Sequence, residues 1–256
     1  MTGLLQTALP VARRNLAHAF KNPAMLLPAI LFPLIFLMAF AGGLSSVEDT
    51  PDFDFRSGYT SFQFVFVYLQ SAAFGGVFTG LSVGSDWESG FARRLLLAAP
   101  RRTGILLGYV LGGLGRFAFT TVLLTAAGLV AGMEVDGTAG QYLGLVGLGF
   151  LVNVAAVLFG VGFMLRAKTV QAAPAMQTPV FLILMLAPVY VPLELLDGWI
   201  HAVASWNPTT AIVEAGRGLI SGEPDGGGVA VAVGVGLIGV MTIWAVRSLR
   251  RAEAGL

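Results

Sequence analysis

Long apolar stretches alternate with short charged segments along the whole chain, and this alternation indicates how the chain is built. A helix that crosses the hydrocarbon core of a bilayer, about 30 Å thick, needs about 20 apolar residues. Six stretches approach that length, at residues 25–44, 61–83, 105–133, 142–165, 175–192 and 228–246. The pattern predicts an all-α membrane protein with six transmembrane helices in a single domain, residues 1–256.

The first and fifth stretches are less regular than the others. Pro179, Pro188 and Pro192 interrupt the fifth stretch, and proline breaks or kinks a helix because it lacks the backbone N–H. Residues 39–41 (Ala-Phe-Ala) resemble a signal-peptidase site at the end of the first stretch. The basic segment before that stretch is long for a signal peptide, so we favour an uncleaved first span.

Basic residues are confined almost entirely to alternate segments between the apolar stretches. Twelve of the fifteen lie before the first stretch or after the second, fourth or sixth: Arg13, Arg14, Lys21, Arg93, Arg94, Arg101, Arg102, Arg166, Lys168, Arg247, Arg250 and Arg251. Segments rich in Lys and Arg stay on the cytoplasmic side during membrane insertion. We therefore expect both chain termini in the cytoplasm.

The composition supports a membrane protein and excludes several function classes. Charged residues make up 11% of the 256 residues, against about a quarter in soluble proteins. A net charge of +1 provides no basic surface for nucleic acid. The chain has no cysteine, and only His18 and His201 could supply imidazole ligands, so we expect no metal site. The abundance of Ala, Gly and Arg suggests a bacterial genome of high GC content, hence the inner membrane of a bacterial cell.

Residues 1–24 contain no spanning stretch, but apolar residues recur there at helical spacing. Basic side chains accompany that repeat at Arg13, Arg14, His18 and Lys21. A helix of this kind lies in the membrane interface with its basic groups towards anionic head groups. The segment therefore predicts an interfacial helix that contacts membrane lipids.

The segment after the second stretch predicts a short amphipathic helix on the cytoplasmic side. Ser85 and Glu88 have the spacing of a capping box, in which both side chains satisfy backbone N–H groups at a helix start. Pro100 would end this helix. Apolar residues would occupy one side and Arg93 and Arg94 the other. Such a helix could contact a cytoplasmic partner or lie on the membrane surface, and the residues alone favour neither.

Residues 193–225 lie outside by the charge pattern, although much of this segment is apolar. Neither half is long enough to cross the membrane, so we expect two short re-entrant or interfacial helices that break at Pro208. Trp199 and Trp206 suit the head-group level. Glu214 and Arg217 are three residues apart and can pair on one helix face.

Arg116 is the one charged residue deep inside a predicted span. An ionisable residue in a membrane interior is a candidate functional residue that faces the bundle or a water-filled cavity. The sequence shows no acidic partner at the same depth, and the side chain could instead extend towards the membrane surface. Glycine also recurs every fourth residue at positions 76–84 and 108–112, a spacing that permits close approach of helices.

In the order of these elements the chain resembles the membrane subunit of ABC-2 type transporters, the family that includes daunorubicin-resistance-like permeases. The resemblance covers essentially the full chain. Residues 90–102 are similar to the family pattern Gly-x-x-x-x-x-Leu-x-x-x-Pro-x-Arg, and Asn207-Pro208 followed by Arg217 is similar to a second pattern. Arg93 and Arg94 stand where many relatives carry an acidic residue.

The resemblance implies half of an export pathway, completed by a second permease copy or a homologue. A separate ATPase subunit would use ATP and Mg²⁺, and residues 1–24 would be a connecting helix that touches it. The coupling helix to the ATPase would contain Ser85, Glu88, Phe91, Arg93, Arg94, Leu95, Leu96 and Pro100. The substrate pathway would be lined by Phe62, Phe66, Phe74, Phe78, Gln177 and Phe181. The extracellular gate would contain Trp206, Asn207, Pro208, Glu214 and Arg217.

The chain lacks the Gly-x-x-x-x-Gly-Lys-Ser/Thr loop that holds nucleotide phosphates, so we expect a transport subunit that is not an enzyme and binds no cofactor itself. Walls rich in Phe favour an amphipathic or lipid-like substrate.

Two alternative functions come from other classes of membrane protein. An ion-coupled secondary transporter needs titratable residues at mid-membrane, where only Arg116 lies. An intramembrane enzyme needs a group of catalytic polar side chains, and the spans offer little beyond Gln177 and Thr178 for that purpose.

Overall fold

The computed structural model describes residues 2–21, 23–43, 53 and 55–255, and these residues are helical apart from short loops. The described helices are α1 (Thr2–Lys21), α2 (Pro23–Gly43), α3 (Gly58–Glu88), α4 (Phe91–Ala98), α5 (Thr103–Val130), α6 (Ala139–Ala167), α7 (Ala173–Met185), α8 (Gly198–Trp206), α9 (Pro208–Ser221) and α10 (Gly227–Ala254). The predicted all-α class is confirmed for this part of the chain.

Four of the described helices, α3, α5, α6 and α10, are long and apolar enough to cross a membrane. They contain 28 to 31 residues each, so at about 1.5 Å per residue they exceed the thickness of the hydrocarbon core. They coincide with the predicted second, third, fourth and sixth stretches, although α5 ends at Val130 and not at residue 133. The chain is therefore an integral membrane protein.

The first and fifth stretches form shorter apolar helices. The first stretch lies in α2, where the described apolar part covers Ile30–Phe40, and its predicted end at residue 44 falls outside the described residues. The fifth stretch was predicted to reach residue 192, but α7 ends at Met185. Pro188 explains the early end, because proline removes a donor and disfavours helical geometry in the residue before it.

Glycines bring α3 and α6 into backbone contact. A Cβ atom placed on Gly80 would lie 2.6 Å from the carbonyl oxygen of Gly160, and one on Gly160 would lie 2.7 Å from that of Val77. A Cβ atom on Gly76 would lie 2.7 Å from Cβ of Ala156. Only glycine allows backbones to approach this closely, so the predicted role of Gly76 and Gly80 in helix packing is confirmed, and Gly160 of α6 joins them.

A second series of glycines, on α5, allows α1 to pack closely against that helix. A Cβ atom on Gly108 would lie 2.6 Å from Cβ of Val11, and one on Gly112 would lie 2.7 Å from Oδ1 of Asn15. The residue numbers on both helices increase together, so α1 and α5 run in the same direction. The predicted N-terminal helix is confirmed, and its inner face is covered by protein.

Different connecting segments lie at the two ends of the bundle. At one end, Arg14 of α1 pairs with Asp86 of α3, and Arg102 at the start of α5 pairs with Glu253 of α10 at 3.2 Å. At the other end, the backbone N–H of Asp136 donates to the carbonyl of Ile220 at 3.1 Å. Segments that the charge pattern assigns to one side therefore lie together in the fold.

We expect the Gly80→Ala substitution to lower the free energy of unfolding by about 1–3 kcal/mol, because its Cβ atom would force α3 away from α6. Gly75→Ala is the matched control in the same helix, since its Cβ atom would lie 3.9 Å from the nearest side-chain atom, Nδ2 of Asn153. The control is expected to be neutral or stabilising by up to about 1 kcal/mol. Unfolding in detergent measures both, and equal stabilities would contradict the packing account.

Candidate functional site

Helix α4 forms the loop between α3 and α5, but it does not start where the sequence suggested. The predicted capping box of Ser85 and Glu88 is wrong, because both residues belong to the last turn of α3. Glu88 instead accepts hydrogen bonds from the Thr169 hydroxyl at 2.8 Å and from the backbone N–H of Val170 at 2.9 Å. Gly90, with a φ of 71°, turns the chain into the eight residues of α4.

A buried carboxylate fixes the end of α3 next to α4. Asp86 accepts hydrogen bonds from Arg14 of α1 at 2.8 Å and from the hydroxyl of Tyr109 of α5 at 2.7 Å. The Arg14 guanidinium also lies 3.8 Å from the ring centre of Phe91, the first residue of α4. Charge-assisted hydrogen bonds of this kind are strong where water is excluded. Asp86 therefore joins α1, α3 and α5, and Arg14 extends that connection to α4.

The structure divides the predicted coupling residues between two faces of α4. Leu96 is buried and Leu95 is half-buried, so both point towards the bundle. Arg93 and Arg94 are exposed, and Leu97, which the sequence did not single out, is 73% exposed. The surface that α4 offers to another molecule is therefore formed by the two arginines, Leu97 and Ala98. Pro100 follows the end of α4 at Ala98, as its sequence position predicted.

A cavity of about 410 Å³ lies between α2, α3 and α7. Its lining residues are Phe32, Pro33, Phe74, Phe78, Pro174, Gln177, Thr178 and Phe181. Four of the six predicted pathway residues, Phe74, Phe78, Gln177 and Phe181, thus surround one space. The sequence did not indicate that Phe32 and Pro33 of α2 line this cavity, because the register between α2 and α3 leaves no local pattern in the sequence.

The remaining two predicted pathway residues lie elsewhere. Phe66 is fully buried in the core of the bundle. Phe62 packs with Tyr59 in a separate aromatic cluster, and the Arg217 guanidinium lies 3.4 Å from its ring centre. Neither side chain lines the cavity. At 3.6 residues per turn, Phe62 and Phe78 lie about 160° apart around α3, so the predicted shared face does not extend over all four phenylalanines.

The predicted pair of short helices is present as α8 and α9, which meet at Asn207. Asn207 accepts from the backbone N–H of Thr209 at 3.0 Å and donates to the carbonyl of Ile183 at 2.6 Å. It therefore caps α9 and ties it to α7. Pro208 takes the first position of α9, where its missing N–H costs nothing. Trp206 beside this junction is 90% exposed.

The predicted pair of Glu214 and Arg217 is confirmed, with 2.8 Å between Oε1 and Nη1. Arg217 also donates to the carbonyl of Val189 at 3.4 Å, and so connects α9 to the segment after α7. Burial raises the pKa of the Glu214 carboxyl, and the positive charge of Arg217 offsets part of that rise. The pair holds α9 against the start of α3 through Phe62.

Arg116 lies inside the bundle between α5 and α3. The side chain is buried, and Nη2 donates to the hydroxyl of Thr79. It therefore faces the protein interior and does not extend to the membrane surface. Its Nε atom has no hydrogen-bond partner within the described residues, and no ion pair involving Arg116 is found there. A hydroxyl thus supplies the acceptor for this buried cation.

Thr79→Val is expected to lower the free energy of unfolding by about 1–3 kcal/mol, because the buried guanidinium of Arg116 loses its acceptor. Adding Arg116→Met to Thr79→Val should recover most of that loss, since an apolar pair leaves no buried charge. Unfolding of both variants in detergent tests this interaction. A single variant as stable as the parent protein would show that the hydrogen bond contributes nothing.

Comparison with known proteins agrees with this architecture. The sequence model of the ABC-2 type transporter family matches residues 9–220. The chain is similar to the daunorubicin resistance ABC transporter permease protein DrrB1 of Streptomyces coeruleorubidus, at 26% identity over 246 residues that cover 92% of this chain and 83% of that protein. It is also similar to the "Putative transport permease ycf38" of Pyropia yezoensis, at 25% identity over 220 residues, 85% of this chain and 75% of that protein. The chain belongs to the ABC-2 type transporter family.

Proposed function

We propose that this chain is the permease subunit of an ATP-binding cassette exporter and is driven by a separate ATPase subunit. Membership of the ABC-2 family supports a transmembrane component of such an exporter. The observation that carries the finer proposal is the outer face of α4, which exposes Arg93, Arg94, Leu97 and Ala98. ATP and Mg²⁺ are used by the partner, and this chain transmits its motion.

The contacts of α4 support a mechanical role. Gly90 joins α4 directly to α3, and Arg14 connects both helices to α1 through Asp86 and Phe91. A displacement of α4 by the ATPase therefore moves α3 and α1 together. Because α3 is a continuous helix, it carries that movement to Phe74 and Phe78 in the cavity. The same helix carries the movement to Phe62, whose ring contacts the Arg217 guanidinium.

The complete topology is part of the same proposal. The long helices α3, α5, α6 and α10 are four of six crossings, α2 is the first, and α7 with residues 186–192 is the fifth. α2 has 21 residues, which at about 1.5 Å per residue suits a 30 Å core. Under this topology the single domain of residues 1–256 has α1 at the cytoplasmic end of the bundle, packed along the first half of α5, and α8 with α9 as a re-entrant hairpin. The positive-inside pattern supports cytoplasmic termini, and the high Ala, Gly and Arg content supports the inner membrane of a bacterial cell.

The hairpin of α8 and α9 is the proposed extracellular gate. Asn207 ties it to α7 through the Ile183 carbonyl, and Arg217 ties it to the segment after α7 through the Val189 carbonyl. The gate therefore contacts α7, which lines the cavity, as well as the start of α3. Separation of α3 from α7 must break or shift these contacts. Trp206, Pro208 and Glu214 complete the gate and belong to the same two helices.

A second copy of this chain, or a homologue, completes the proposed pathway. Apolar side chains are exposed beside the cavity on both of the shorter spanning helices: Leu31, Ile35 and Met38 of α2, and Leu182 and Ile183 of α7. The cavity combines four phenylalanines with Gln177 and Thr178, which suits a substrate that has an apolar body and a polar group. The name of the DrrB1 relative, which refers to daunorubicin resistance, is consistent with amphipathic cargo.

Leu97→Asp is expected to abolish co-purification of the ATPase subunit, or to weaken its binding at least about tenfold, because it replaces the exposed apolar side chain on the outer face of α4 with a carboxylate. Leu96→Asp cannot test docking, since Leu96 is buried and its substitution disturbs the bundle itself. The measurement is affinity purification in detergent, followed by stimulated ATPase activity.

Ala254→Asp provides the matched control, because Ala254 is exposed near the end of α10, at the same end of the bundle. The control should retain the ATPase and its stimulation. Full coupling in the Leu97→Asp variant would refute the proposed docking surface.

A further inference from the structure

Two polar side chains are buried next to each other in the middle of α3. Gln70 is 0% exposed and Ser71 is 2% exposed. Nε2 and Oε1 of Gln70 and Oγ of Ser71 form no hydrogen bond with any described residue. A buried polar atom without a partner destabilises a protein, and no bulk water is present at this depth in a membrane to replace the partner. Three such atoms at adjacent positions require an explanation.

Their position on α3 connects them to the cavity. Gln70 precedes Phe74 by four residues, and Ser71 precedes Phe78 by seven, so both lie on the helix face that carries these phenylalanines. Phe74 and Phe78 line the cavity, and the Phe74 ring also contacts the ring of Phe181 on α7, with 6.5 Å between centres. The polar pair therefore lies about one helical turn from the cavity, in the direction of Phe62 and the proposed gate.

Two other buried amides in this bundle bond to distant parts of the chain, whereas Asn15 of α1 is also without a partner among the described residues but packs against Gly112 of α5, away from the cavity. Gln63, two turns away on the same face, donates to the Tyr59 hydroxyl at 2.7 Å and to the Val189 carbonyl at 3.0 Å. Asn153 of α6 donates to the Ala72 carbonyl at 2.8 Å. Each of these amides connects two parts of the chain. Gln70 makes no such connection among the described residues, so its amide contributes no hydrogen bond to the packing of this conformation.

We propose that Gln70 and Ser71 form a polar subsite one helical turn beyond the cavity on its gate side, which cargo reaches when α3 and α7 separate. The aromatic wall would hold the apolar body of the cargo, and the amide and hydroxyl would bind its uncharged polar group as it moves towards the gate. This inference rests on the proposed export function. An amide and a hydroxyl both donate and accept hydrogen bonds and carry no charge, so they select neutral hydrogen-bonding groups such as hydroxyls and carbonyls. A purely apolar molecule of equal size would leave them unpaired, which is a strong basis for discrimination.

Two fluorescent probes that differ by one hydroxyl test this subsite: 1-pyrenemethanol and 1-methylpyrene. Binding to the full-length chain in nanodiscs is measured by energy transfer from tryptophan and corrected with empty nanodiscs. Gln70→Met keeps the size of the side chain but removes its hydrogen bonds. We expect it to raise the Kd of 1-pyrenemethanol about 3- to 10-fold and to leave that of 1-methylpyrene within about twofold. Ser71→Ala should show the same selectivity with a smaller change.

Two further variants separate the possible failures. Thr120→Val removes a buried hydroxyl that is bonded within α5 to the Phe117 carbonyl, and it should change neither Kd. Phe78→Ala should weaken both probes, because it removes part of the cavity wall. If Phe78→Ala weakens both probes but Gln70→Met and Ser71→Ala leave 1-pyrenemethanol unaffected, or weaken both probes equally, the subsite is refuted and the cavity stands. If the parent chain binds neither probe, or Phe78→Ala has no effect, the proposed cargo cavity fails and the subsite fails with it.

Discussion

Backbone contact through glycine is the constraint on which this bundle depends. Lipid tails are as apolar as leucine side chains, so helices in a membrane gain little from burial alone and associate by close packing. Gly76, Gly80 and Gly160 bring α3 against α6, and a further series brings α1 against α5. A side chain at any of these points would have to displace a neighbouring helix. The positions of the carboxylate, the cavity and the gate residues all follow from this placement of α3.

Helix α3 carries residues from all three candidate regions. Asp86 lies at the end next to α4, Phe74 and Phe78 lie in the middle, and Phe62 lies near the far end beneath Arg217. From Asp86 to Phe62 an α-helix extends about 36 Å, which is comparable to the thickness of a bilayer core. A single rigid element therefore connects the proposed ATPase contact with the proposed gate. That arrangement is what the proposed mechanical transmission from an ATPase subunit requires.

The buried polar groups separate into those that hold the bundle together and those that do not. Asp86 is bonded to Arg14 and Tyr109, and Arg116 is bonded to Thr79, so each joins at least two helices. Ionisable groups within a membrane protein are tolerated when such partners exist. Gln70 lacks partners among the described residues although it is equally buried. Its unpaired amide and its proximity to the cavity together make it a candidate for binding cargo.

The sequence by itself determined what depends on neighbours along the chain. Apolar length and proline positions predicted the long helices and the junction at Pro208, and the three-residue spacing predicted the pair of Glu214 and Arg217. Only the tertiary structure decided what depends on distant residues. Glu88 accepts a hydrogen bond from Thr169, 81 positions away. The capping box that its spacing from Ser85 predicted is therefore not formed. The rotation of each helix against its neighbours decides three further features. It turns Leu96 towards the bundle, keeps Phe62 away from the cavity and leaves the Gln70 amide without a hydrogen-bond partner among the described residues. Rotation and register arise from packing between helices, and no short sequence pattern records them.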